Sequence, residues 1–79
     1  MIETPIETSQ QILEKSFGIA WDYLAATGEL GMPDDARQFL ADSIEVMMTR
    51  GERRPLLLAN RTIDDYRRWR ASRGLARAS

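Results

Sequence analysis

Apolar positions along the chain recur at helical spacing from residue 12 to residue 69, and no stretch alternates with the period of a strand. Leu13, Phe17, Ala20, Trp21 and Leu24 form one apolar stripe, and Ile12, Ile19 and Tyr23 form a second beside it. The first helix is therefore expected from about Ser9 to Thr27. Thr8 and Gln11 have the spacing of a capping box at its start, and Gly28 suits its end. A helix apolar over more than half its circumference touches at least two neighbours, so it belongs at the centre of a bundle or partly in a dimer interface.

Gly28-Glu29-Leu30-Gly31 reads as a turn. Pro33 then suits the first position of a second helix, with Asp34 and Asp35 in its first turn, where the helix dipole favours carboxylates. This helix is expected to reach about Arg50, before Gly51. Ala36, Phe39, Leu40, Ile44, Met47 and Met48 lie on one face, and Asp35, Gln38, Asp42, Glu45 and Thr49 lie opposite. A short third helix is expected from Pro55 to about Asn60. Leu56, Leu57 and Leu58 cannot all point one way, so part of that run is left for solvent or a partner. Asn60-Arg61 reads as a turn, with Thr62 capping a fourth helix that Gly74 ends. Ile63, Tyr66 and Trp69 give this last helix a narrow apolar stripe.

These elements predict an all-α fold, a small helical bundle of two long antiparallel helices, a short helix and a basic C-terminal helix. Residues 1–7 are expected to be a flexible arm, 8–74 a single domain, and 75–79 a frayed tail. The expected core is Leu13, Phe17, Ala20, Trp21, Leu24, Phe39, Leu40, Ile44, Met47, Leu57, Ile63, Tyr66 and Trp69. A chain of 79 residues buries only roughly 60% of its unfolded surface. With no cysteine, disulfide support is excluded, which leaves tight packing or a second subunit to stabilise it.

Charge changes the picture more than composition does. Residues 1–49 carry nine acids and two bases, whereas residues 50–79 carry three acids and nine arginines. Such asymmetry points to an interaction surface. Arg53, Arg54, Arg61, Arg67, Arg68, Arg70 and Arg73, interleaved with Tyr66 and Trp69, are the candidate contacts for an anionic partner. A structural reading stands beside that one. Asp64 precedes Arg67 and Arg68 by three and four residues, and the later arginines fall near a helix C-terminus, where cations are favourable.

Catalytic chemistry has little to work with. There is no histidine, which removes Ser-His-Asp arrangements and the commonest metal ligand. The one lysine, Lys15, sits on a polar helix face beside Glu14. Asp34-Asp35 and Asp64-Asp65 are neighbours in sequence whose side chains diverge by about 100° on a helix. Their places at helix starts explain them. The GxxG at 28–31 lies in an acidic turn between helices, unlike a phosphate loop. No catalytic residue, cofactor, metal or small-molecule ligand is expected. No segment has the length of a membrane span or the pattern of a signal peptide, so a cytoplasmic protein is expected.

Two functional readings remain. The first is a non-enzymatic protein–protein interaction domain, an adaptor or a self-associating protein whose acidic second helix meets the arginine-rich surface of another copy head to tail. The second is a helix-turn-helix-like nucleic-acid binder using the arginine-rich half over residues 55–73. The acidic N-terminus of its would-be recognition helix, Thr62-Ile63-Asp64-Asp65, fits that second reading poorly.

Overall fold

The computed structural model describes residues 8–78, with side chains through residue 73. The expected arm, residues 1–7, lies outside them. Three helices make up the fold: α1 (Ser9–Ala26), α2 (Pro33–Thr49) and α3 (Pro55–Ala78). Among the described residues there is no strand.

Local chemistry sets the ends of the first two helices. At the start of α1 the Thr8 hydroxyl accepts from Gln11 N–H at 3.2 Å, and the Gln11 side chain accepts from Thr8 N–H at 2.8 Å. This reciprocal box satisfies two donors that the helix itself cannot. Both helices then close with the same glycine motif. After α1, Gly28 N–H donates to Ala25 and Glu29 N–H to Leu24; after α2, Gly51 N–H donates to Met48 and Glu52 N–H to Met47. Gly28 and Gly51 have φ of 74° and 103°, which an L side chain adopts only with strain.

The core forms where small residues let the helices approach. Ala20, Ala36 and Ala59, one from each helix, are fully buried in a single cluster with Leu24, Leu40, Ile63 and Tyr66. A second cluster joins Ile12, Ile44 and Leu58, and Phe17 packs against both. Ser16 is also fully buried. Its hydroxyl donates to the Ile12 carbonyl, so no polar atom is stranded inside. Leu13, Trp21, Phe39, Met47, Leu57 and Trp69, expected in the core, are only half-buried.

The C-terminal half departs from expectation. The separate short helix, the Asn60-Arg61 turn and the fourth helix are one continuous helix, and α3 also runs through Gly74. The reason lies in three residues omitted from the expected stripe. Leu58, Ala59 and Thr62 are fully buried and join Ile63 and Tyr66 in one uninterrupted helical face. Thr62 is not a cap; its hydroxyl donates to the Ser43 hydroxyl on α2 at 3.5 Å. Asn60 and Arg61 point into solvent, where keeping them helical costs only about 0.5 kcal/mol each. In the leucine run, Leu56 is 66% exposed while Leu58 is buried.

Fully buried Leu40 sits between the three alanine contacts. A domain of this size is stable by about 4–12 kcal/mol in all. Leu40→Ala should therefore remove about 3 kcal/mol, a large share of the total, read as a lower urea midpoint with unchanged slope.

Candidate interaction surface on the second and third helices

The seven candidate arginines do not form one patch. Side chains on a helix diverge by about 100° per residue, so a continuous α3 sends them in several directions. Those on its second half mostly turn inward onto the bundle. Arg67 grips Glu29 in the α1–α2 loop with two parallel bonds, Nε–Oε2 and Nη2–Oε1, both 2.8 Å. Its Nη2 also donates to the Tyr23 hydroxyl at 3.0 Å, and its guanidinium lies 5.3 Å from the Tyr23 ring centroid. Such a fork-on-carboxylate geometry is the strong form of an ion pair. One turn on, Arg70 donates to the Glu29 main-chain carbonyl and stacks near the Tyr66 ring. Arg73 lies over Trp69, 4.8 Å from its centroid.

Two more arginines are held locally. Arg54 pairs with Glu52 at 3.0 Å, and the same carboxylate accepts the main-chain N–H groups of Arg53 and Arg54. Arg68 reaches Asp65 at 3.4 Å, with most of its side chain in water. Arg53 and Arg61 are exposed, and their side chains make no ion pair among the described residues.

These contacts are visible in the titration of their partners. Glu29 is held down from 4.5 to about 2, first by its hydrogen bonds from Arg67 and then by the Thr27 hydroxyl at 2.6 Å. Glu52 is likewise held at about 2, chiefly by Arg54. Burial pushes the Tyr66 hydroxyl up. That hydroxyl donates to the Leu30 carbonyl, which ties the loop to α3 a third time.

What remains open is the face shared by α2 and α3. Phe39, Asp42, Ser43, Val46, Met47, Arg50 and Asp65 line a groove of about 460 Å³ there. Val46 is 50% exposed beside it. Asp35 and Asp42 lie one heptad apart on the exposed side of α2, and neither forms an ion pair among the described residues. Arg61 and Arg68 lie one heptad apart on α3. The groove thus has an acidic bank and a basic bank. A second groove, of about 350 Å³, runs under the loop between Met32, Tyr66, Trp69, Arg70 and Arg73.

The seven arginines thus divide into cations committed within the chain and a smaller exposed set. Glu29 was missed as a partner because its turn is 38 residues from Arg67. Among the described residues no three acids gather to hold a metal ion, and no helix is long and apolar enough to cross a membrane. No family model, no curated protein and no solved structure matches the chain.

Two outcomes follow for the loop. The unfolded chain protonates Glu29 near 4.5 and the folded chain only near 2, so acid favours unfolding between those values. The stability this pair supplies is complete above about 4.5 and is lost as pH falls towards 2. Melting temperatures of the wild type and Glu29→Gln should therefore differ at neutral pH and converge across that window. Gly31 has φ 66°, and an added Cβ would lie 2.9 Å from the Arg70 guanidinium carbon. Gly31→Ala should cost about 1–2 kcal/mol in chemical denaturation through backbone strain alone.

Proposed function

We propose that this chain is a small cytoplasmic protein–protein interaction domain without enzymatic activity, working through the open face of α2 and α3. In this reading α1 and α2 are a long antiparallel pair and α3 is the basic helix laid across them. The observation that carries the reading is the composition of that face. An apolar groove with half-exposed Val46 at its edge has Asp35 and Asp42 on one bank and Arg61 and Arg68 on the other. Apolar centres with charged rims are the usual anatomy of protein interfaces, and the charges set partner and orientation.

A nucleic acid would be read differently. Helix-turn-helix recognition needs a turn that the continuous α3 lacks. A phosphate backbone laid along Arg61 and Arg68 would also meet Asp64, Asp65 and the acidic bank of α2. Arg67 and Arg70, the residues best placed in sequence for phosphates, are engaged with Glu29.

An amide-resolved NMR titration with a mixed-sequence DNA duplex separates the two. The interaction reading expects shifts near Arg53, Arg61 and Arg68 only at low salt, vanishing at physiological salt as counterion release requires. Shifts that persist at physiological salt and disappear in an Arg61→Ala, Arg68→Ala double variant would transfer the assignment to nucleic acid.

A further inference from the structure

Resting on the reading of this chain as an interaction domain, we infer that the partner of the α2–α3 face is a second copy of the same chain, docked face to face about a two-fold axis. The argument begins with how α2 and α3 pass each other. Phe39 meets Tyr66 and Trp69. Ser43 meets Thr62 and Asp65. Met47 packs beside Leu58. Sequence numbers therefore rise along α2 as they fall along α3. A two-fold axis normal to the groove lays α2 of one copy along α3 of the other, pointing the same way, and does so twice.

That arrangement sets the acidic bank of each copy on the basic bank of its partner. Asp35 and Asp42 are seven residues apart, as are Arg61 and Arg68, a rise of about 10.5 Å in each case. One register therefore engages both pairs, Asp35 with Arg61 of the partner subunit and Asp42 with Arg68 of the partner subunit. The two-fold repeats them, so four ion pairs form around the groove. Val46, Phe39 and Met47 supply the apolar centre, and surface ion pairs alone contribute too little to hold two chains together. Because both banks lie on one face, the contact is self-complementary and closes at two copies. The head-to-tail association expected from sequence would instead continue into longer assemblies.

Charge reversal tests the geometry directly. By light scattering at low salt, the wild type should move from 9.0 kDa towards twice that mass as concentration rises, and return on adding salt. A variant carrying Asp35→Arg and Asp42→Arg should stay at the single-chain mass, and so should one carrying Arg61→Asp and Arg68→Asp. An equimolar mixture of the two should recover the doubled mass, because every facing pair again has opposite sign. Val46→Glu, which changes one exposed side chain, should also abolish the dimer. The proposal is overturned by a wild type that stays at 9.0 kDa throughout, or by a mixture of helical variants that stays monomeric. It is equally overturned if Val46→Glu leaves the dimer intact. A monomeric wild type would remove the two-fold dimer and leave a different protein as partner, whereas DNA binding at physiological salt would remove the interaction reading itself.

Discussion

Three side chains on successive positions of α3 hold the loop between α1 and α2, and the upper half of the bundle depends on that hold. Tyr66 is buried to 1% exposure and donates to the Leu30 carbonyl; Arg67 takes the Glu29 carboxylate; Arg70 takes the Glu29 carbonyl. The loop begins with Gly28 in a left-handed conformation that α1's C-terminal motif requires. It ends at Met32, which offers α2 no side-chain cap. The loop's other hydrogen bonds are few, so α3 supplies what the loop cannot supply itself. Phe39 and Trp69, 4.9 Å apart by ring centroids, then pack α2 onto the same stretch of α3.

That structural task decides how the charge asymmetry is used. An arginine count by itself suggests a cationic surface. In the folded chain, Arg54, Arg67 and Arg70 are committed to acceptors at Glu52 and Glu29, so the two halves of the chain neutralise each other from within. Arg61 and Arg68, at the edge of the α2–α3 groove, are the cations that remain turned outward on that face. Their complement is the acidic row on α2 of another copy. The same attraction therefore acts twice, once within the chain to hold the loop and once between chains to set a register.

Much of the first two helices was legible because their signals are local. The Thr8–Gln11 box, Pro33 at a helix start, the acids behind it and the glycines after each helix are read within four or five residues. They fold as read. The helical stripes likewise placed Ala20, Leu24, Leu40, Ile44, Ile63 and Tyr66 in the core. The third helix was less legible because its evidence is tertiary. Asn60-Arg61 followed by Thr62 has turn and cap chemistry, but the buried sides of Leu58, Ala59, Thr62 and Tyr66 outweigh it. Ser16 looked polar and is core, since its hydroxyl finds the Ile12 carbonyl within its own helix. The arginine contacts were least legible. Which of several arginines takes Glu29 depends on how α3 is rotated, and that is set by packing rather than by spacing along the chain.

The central claim is that Arg67 belongs to the fold and Arg61 to the surface. Side-chain NMR of the arginine Nε–H groups at neutral pH measures that distinction residue by residue. The account predicts a slowly exchanging Arg67 Nε–H, protected by its 2.8 Å bond to Glu29, and a rapidly exchanging Arg61 Nε–H in the monomer. Equal, rapid exchange at both positions would contradict it, because Arg67 would then be as free for an outside partner as Arg61.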